Sequence, residues 1–168
     1  MLYLLIVGEI SADMLLHPSG EMSARFMLIA LAITPLRRLW PEARWVRVMG
    51  GQRRTFGVSA FGYAVLHTMF YVIDMDDITY IMDEVFALGI WTGWVALLVL
   101  FPLALTSNKY SVYWLKGNWR HLHRLIYLAA ILVLLHWIYV HNNSMGAWLH
   151  FLPLIILEVV RVKKTVWR

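Results

Sequence analysis

Long apolar runs alternate with short charged stretches along the chain, a pattern typical of a protein that crosses a membrane several times. The runs lie at residues 22–36, 55–73, 85–105, 120–140 and 147–160. A helix needs about 20 apolar residues to cross the hydrocarbon core, and a shorter helix needs its flanks or a tilted neighbour. We therefore expect an all-α integral membrane fold, a helical bundle of about five transmembrane helices.

Three stretches in the first third of the chain are expected to lie outside the crossing helices. Residues 1–8 are apolar but too few to cross, so we interpret them as an N-terminal stub or the end of a truncated first helix. Residues 9–21 are polar, and Pro18 and Gly20 predict a turn there. Pro41, Gly50 and Gly51 predict that residues 37–54 form an irregular connection.

The composition supports a single membrane domain over residues 1–168. The chain is 61% hydrophobic and 15% charged, whereas soluble domains are about half apolar and about a quarter charged. It contains no cysteine, which excludes thiolate-ligated iron–sulfur clusters, thioether-linked haem and disulfides. If a metal centre is present, histidine must hold it.

The basic residues are concentrated on alternate connections. Thirteen of the fifteen lysines and arginines lie in residues 37–54, residues 109–120 and the tail at 161–168, while the intervening loops are acidic or neutral. The positive-inside rule places these three segments in the cytoplasm and the loops at Asp74 and His141 outside. This distribution explains the net charge of +5, and we expect membrane lipid rather than nucleic acid as the surrounding partner.

Two predicted membrane helices carry a histidine at nearly the same depth. His67 follows Arg54 by thirteen residues and His136 follows Arg124 by twelve, which is roughly 20 Å and 18 Å of helix. Imidazoles on facing helices are suited to clamp haem iron from both sides. Ordinary hydrogen bonding between helices and a proton relay are the alternatives, and for a relay we find only Glu158 as a helix carboxylate.

Other residues of these helices admit more than one interpretation. His123 lies in the first turn of the 120–140 helix, where it either ligates a second, inner haem or faces lipid headgroups. Gly57 and Gly62 either remove bulk beside the His67 helix to admit a macrocycle or serve ordinary helix packing. His17, His141 and His150 are expected at the outer surface. Most tryptophans, Trp137 among them, are expected in the interfacial aromatic belt.

An arginine cluster borders the helix of His67 on its cytoplasmic side. Its members are Arg37, Arg38, Arg53 and Arg54. The cluster is either a topology signal alone or a binding site for the phosphate of a flavin such as FMN or of a lipid headgroup.

Three segments of the chain resemble the ferric reductase-like transmembrane family: SARFMLIALAITPLRRL, RRTFGVSAFGYAVLHTMFYV and WRHLHRLIYLAAILVLLHWIYV. Within that family they resemble the haem-binding membrane subunits of bacterial periplasmic methionine sulfoxide reductase systems. The resemblance implies haem b held by His67 and His136, with His123 at the inner-haem position. It also implies a bacterial inner-membrane location and transfer of electrons from quinol or flavin to a periplasmic acceptor.

The family pattern and this chain differ in two respects. The family usually has six helices, whereas this chain has five and a stub. Eukaryotic relatives carry two histidines on the helix that corresponds to that of His67, whereas this chain carries one. We therefore keep two alternatives to an electron-transfer subunit. One is a structural or accessory subunit of a larger membrane complex, and the other is the membrane component of a ferric reductase fed by a separate flavoprotein.

The alternation of charge generates a prediction about topology. Reporter fusions at Gly50 or Gly51 should report a cytoplasmic location, and fusions at Asp76 or Asp77 should report an external one, because positive charge is retained inside. The opposite sidedness at either loop would contradict the predicted orientation.

Overall fold

The computed structural model describes residues 11–141 and 144–166, and the described chain is almost entirely helical. The helices are α1 (Ala12–Leu39), α2 (Arg44–Asp74), α3 (Ile78–Glu84), α4 (Leu88–Leu105), α5 (Lys109–Leu115), α6 (Gly117–His123), α7 (Ile126–His141) and α8 (Ser144–Val166). The predicted all-α membrane fold is confirmed. The predicted stub at residues 1–8 lies outside the described residues.

Four helical stretches in the described part of the chain are long and apolar enough to cross a membrane. They are Arg44–Asp74, Leu88–Leu105, Gly117–Val140 and Ser144–Lys164. The remaining predicted span, residues 22–36, lies inside α1, which has 28 residues but carries Glu21 and Arg25. These side chains pair at 2.8 Å, and α1 packs against α2, α7 and α8. Protein contacts therefore accommodate charges that lipid would not.

Two predicted connections proved to be helical. The turn expected at Pro18 and Gly20 is wrong, because α1 begins at Ala12 and continues through both residues. The break expected at Gly50 and Gly51 is also wrong, because both lie inside α2. Proline and glycine are tolerated in packed membrane helices, where neighbouring groups compensate for the lost backbone bonds. At Gly50 a Cβ would lie 3.2 Å from Cδ of Arg37, so the glycine permits close packing.

Two closely packed antiparallel helix pairs, α1 with α2 and α4 with α7, organise the bundle. Small residues such as Ala24, Ala60 and Ala129 lie in the core and let the helix backbones approach. Ser23 Oγ donates to the backbone carbonyl of Ala60 at 2.8 Å, which joins the first pair by a buried hydrogen bond. The two pairs present their inner faces to one another, and α8 packs against α1 and α7.

The predicted 120–140 helix is interrupted between His123 and Ile126. The backbone N–H groups of Arg124 and Leu125 donate to His121 and Leu122 at 3.2 and 3.0 Å, a tighter spacing than the α-helical bond. His123 therefore belongs to α6 and His136 to α7. Their relative direction is set by this break and cannot be calculated from a single ideal helix.

The acidic stretch between α2 and α4 contains the short helix α3, which Asp77 caps. The Asp77 carboxylate accepts a hydrogen bond from the Thr79 backbone N–H at 3.0 Å. This bond favours the charged carboxylate and lowers the pKa of Asp77 below its usual value. The cap fixes where α3 begins and so shortens the loop before α4.

Candidate functional site

The structure brings the rings of His67 on α2 and His136 on α7 together. Their centroids are 6.0 Å apart and their planes are inclined at 83°. Both rings line one cavity between the two helix pairs, with a largely apolar wall that includes Ala64, Ala96 and Leu100. A pair of imidazoles in such surroundings is a candidate site for a metal-containing group.

Each histidine of the pair is hydrogen-bonded to the backbone of a neighbouring helix. Nδ1 of His67 lies 2.9 Å from the carbonyl oxygen of Leu16 on α1, and Nδ1 of His136 lies 2.7 Å from that of Gly89 on α4. Since a carbonyl only accepts, Nδ1 carries the proton in both rings and the lone pair is on Nε2. Histidines that ligate metals through one nitrogen commonly donate the other N–H in this way.

Two glycines make room for these rings. A Cβ at Gly20 would lie 2.9 Å from Nδ1 of His67, and a Cβ at Gly93 would lie 2.7 Å from Nδ1 of His136. Any larger residue would therefore push the ring away from its present position. Gly20 is on α1 and Gly93 is on α4, so each imidazole lies against the backbone of the helix that also supplies its carbonyl acceptor.

The glycines singled out from the sequence are not the ones that contact the histidines. A Cβ at Gly57 or Gly62 would meet no described atom within 4 Å, so neither glycine serves close helix packing, and the alternative that they admit a macrocycle stays a prediction. Sequence reasoning considered only the helix of His67, whereas the contacts come from neighbouring helices. The shared dipeptides Ser19-Gly20 and Thr92-Gly93, a hydroxyl followed by glycine, were the available signal.

The residues at this site fit the chemistry of a haem held by two histidines. Bonds between imidazole nitrogen and a first-row metal are about 2 Å long, so rings that ligate one metal from opposite sides have centroids roughly 6 Å apart. The measured 6.0 Å agrees with this spacing. The cavity that the two rings line has a volume of about 110 Å³.

Tyr71 adds an unsatisfied polar atom to the cavity wall. Its hydroxyl is buried without a hydrogen-bond partner among the described residues, and its ring contacts Trp94 at 6.4 Å between centroids. Tyr71 follows His67 by one helical turn, roughly 6 Å. If a haem were held by the histidines, an acid group of that haem could supply the acceptor that this hydroxyl lacks among the described residues.

A charged network borders the cavity on α1 and α8. Arg25 pairs with Glu21 at 2.8 Å and donates from Nε to Nε2 of His150 at 3.2 Å. His150 also lies against Trp137 with ring centroids 5.1 Å apart. Glu21 lines the cavity, so the expectation that Glu158 is the only helix carboxylate able to serve a proton relay is wrong.

Several aromatic and histidine side chains differ from their expected positions. Trp137 is 7% exposed and belongs to the core instead of the aromatic belt. His150 is half-buried between α1 and α7, not at the surface, and His17 is exposed but also lines the cavity. The side chain of His141 lies outside the described residues. These departures share one cause, because depth along a helix does not determine which side of the helix faces the bundle.

His123 lies in a separate cluster on α6. Thr106 Oγ1 is 2.6 Å from the Pro102 carbonyl, to which it donates, and 3.1 Å from His123 Nε2, from which it accepts. The ring stacks on Trp119 with centroids 4.0 Å apart. The structure does not bring His123 to the pair formed by His67 and His136. The described residues contain no group of three or more metal-binding side chains.

Of the four arginines predicted as a phosphate site, Arg37 and Arg38 lie in the last turn of α1, and Arg53 and Arg54 lie nine and ten residues past the start of α2. Arg37, Arg38, Arg53 and Arg54 are all exposed. Arg37 packs over Gly50, which brings the end of α1 against α2. This exposed arginine cluster is separated from His67 by roughly 20 Å of helix, so a group bound there would not touch the histidine pair.

A model of the family described as "Ferric reductase like transmembrane component" matches residues 19–134. The chain belongs to the ferric reductase-like transmembrane family. The matched segment includes His67, His123 and the dipeptides Ser19-Gly20 and Thr92-Gly93. It ends just before His136. Membership agrees with the resemblance drawn from the sequence and with the helical membrane fold.

Several curated relatives of this family member are named protein-methionine-sulfoxide reductase heme-binding subunit MsrQ. The protein from Xanthomonas euvesicatoria is 42% identical over 123 residues, which is 71% of this chain and 55% of the relative. The protein from Deinococcus radiodurans is 38% identical over 160 residues, 88% of this chain and 73% of the relative. The chain thus spans about half the length of the Xanthomonas relatives. No solved structure matched the chain.

The unsatisfied hydroxyl of Tyr71 generates a prediction. Tyr71→Phe should leave the stability of the haem-free protein unchanged or raise it by up to about 1 kcal/mol, because a buried hydroxyl without a partner is costly. The same change should weaken haem binding several-fold if the hydroxyl donates to an acid group. Haemin titration and thermal unfolding measure the two effects, with the exposed Tyr113→Phe as control. Lower apoprotein stability with unchanged haem affinity would contradict the assignment.

Proposed function

We propose that this protein is a haem b-binding membrane electron-transfer subunit, which passes electrons from quinol or a flavin to an acceptor on the periplasmic side. The observation that carries the proposal is the histidine pair, with ring centroids 6.0 Å apart and both Nδ1 protons donated to backbone carbonyls. The relatives named as heme-binding subunits support the same conclusion.

The chain's residues have separable roles in this proposal. His67 and His136 are the axial ligands, and haem bound by two histidines supplies one-electron oxidation and reduction. The apolar wall around them excludes water, and the backbone carbonyls fix which nitrogen faces the iron. We propose one haem b. A second haem at His123 would require that residue to give up its hydrogen bond with Thr106 and its contact with Trp119.

The proposed orientation follows from charge. In a bacterial inner membrane, the exposed arginine cluster and the C-terminus lie in the cytoplasm. The histidine pair then lies in the outer half of the membrane, near the side of the acceptor. The name of the relatives suggests a protein-methionine-sulfoxide reductase as that acceptor. The proposed donor is a quinol or a flavoprotein.

The other two functions lead to different observations. An accessory subunit that retains only the fold would show no haem in a pyridine haemochrome assay. The membrane component of a ferric reductase would bind haem but would co-purify with a cytoplasmic flavoprotein and reduce ferric chelates. The histidine pair, with its complete set of backbone acceptors, favours the electron-transfer subunit over a fold without cofactor.

Substitution of the three membrane histidines tests the proposal directly. His67→Ala and His136→Ala should each abolish the low-spin spectrum of haem bound by two histidines, because each removes one axial ligand. His123→Ala should leave that spectrum intact, because His123 lies on α6 in its own cluster. Optical spectra of the purified protein, with haem quantified, measure the result.

The exposed histidine His121 provides a matched control for these variants. His121→Ala should behave like the wild-type protein in haem content and spectrum. If His123→Ala destroys the low-spin signal while His67→Ala preserves it, the ligand assignment is wrong. Haem content that falls by half in His123→Ala without a change in the remaining spectrum would indicate a second haem.

The exposed arginine cluster generates a prediction about flavin. If the cluster binds FMN phosphate, changing Arg53 and Arg54 to glutamine should weaken FMN binding at least tenfold, because each arginine offers two aligned N–H donors. Fluorescence titration measures the affinity, and Arg44→Gln with Arg47→Gln on the same helix is the control. Absence of FMN binding by the wild-type protein would leave the cluster as a topology signal only.

A further inference from the structure

Two turns of α-helix, one on α1 and one on α4, contact the imidazoles of His67 and His136 in the same way. The carbonyl of Leu16, which accepts from His67, also accepts from Ser19 Oγ at 2.8 Å. The carbonyl of Gly89, which accepts from His136, also accepts from Thr92 Oγ1 at 2.8 Å, and the same hydroxyl lies 2.9 Å from the carbonyl of Leu88. In both turns the hydroxyl stands three residues after the carbonyl and the ring-contacting glycine stands four residues after it.

This repetition is not imposed by the packing of one helix pair. The 16–20 turn belongs to α1, which packs on α2, and the 89–93 turn belongs to α4, which packs on α7. Ser19 and Thr92 are 0% and 2% exposed, so neither hydroxyl is accessible to solvent. The two turns share the same order of groups because each meets the same need of one buried imidazole.

We propose that the 16–20 and 89–93 turns are positioning elements that fix the tautomer and the plane of each axial histidine. An iron held between the rings then has nearly perpendicular ligand planes, as the 83° angle indicates. This inference rests on the proposed function, because it concerns how the chain presents His67 and His136 to haem.

The glycines determine the ring planes by contact. A Cβ at Gly20 or Gly93 would lie at 2.9 or 2.7 Å from ring atoms, so alanine must rotate or displace the ring. Perpendicular imidazole planes keep the two iron orbitals that interact with the rings close in energy, which makes ferric low-spin haem strongly anisotropic. Rotation of one ring separates those orbitals and reduces the largest g-value in the electron paramagnetic resonance spectrum.

The hydroxyls determine how strongly each carbonyl accepts the ring proton. A strong acceptor at Nδ1–H makes the imidazole a more basic ligand and stabilises ferric iron. Ser19 and Thr92 share the carbonyl oxygens and so moderate this effect. Removing either hydroxyl should therefore shift the midpoint potential of the haem to a lower value, while the ring keeps its glycine contact.

The first experiment compares glycine variants of the full-length, haem-loaded protein. Gly20→Ala and Gly93→Ala should decrease the largest g-value of the oxidised protein and shift its midpoint potential. Gly51→Ala is the matched control on α2, because a Cβ there meets no described atom within 4 Å and the residue is separated from His67 by roughly 24 Å of helix, and it should retain both wild-type values. Wild-type spectra in Gly20→Ala and Gly93→Ala would overturn the inference.

The second experiment uses Ser19→Ala, which removes only the hydroxyl, and Thr92→Val, which replaces the hydroxyl with a methyl group of similar size. Both should lower the midpoint potential with haem content unchanged. If the glycine variants fail to fold, these two variants decide, and unchanged potentials in both would overturn the inference. Absence of haem from the wild-type protein would instead disprove the proposed function, and the inference would be rejected with it.

Discussion

An imidazole buried in a membrane must place its N–H on a hydrogen-bond acceptor, and the arrangement of this protein follows from that requirement. A buried polar group without a partner costs several kcal/mol in surroundings that lack water. Here the acceptors are carbonyls of the helix backbone at Leu16 and Gly89, each on a helix that neighbours the histidine. A backbone acceptor can be reached only when the two helices are very close at that level.

That close approach explains the residues around the site. Glycine at positions 20 and 93 is the residue type that lets a ring lie directly on a helix backbone. Alanines and Ser23 between α1 and α2 keep those helices at the distance that the ring requires. A related pairing lies at the edge of the bundle, where the exposed Arg25 pairs with Glu21 and donates to His150.

Sequence reasoning identified the membrane helices and the two histidines because both depend on position along one helix. Apolar length is a property of each segment, and depth follows from counting residues. It failed at Pro18 and Gly50, since their turn-forming tendency in water is overridden where neighbouring helices compensate. It also failed at Trp137 and His150, since contacts between helices depend on rotation about the helix axis and on which helices are neighbours. Neither quantity can be read from one segment alone.

The division of the site between two helix pairs has a consequence for the order in which the protein is made. The α1–α2 pair contains His67 together with its acceptor and its glycine, all within the first half of the chain. The α4–α7 pair supplies the equivalent set for His136 later in synthesis. Each half can therefore orient its own ligand before the other half is present. Haem would then join two prepared halves, so its insertion completes assembly of the bundle and need not create the binding geometry.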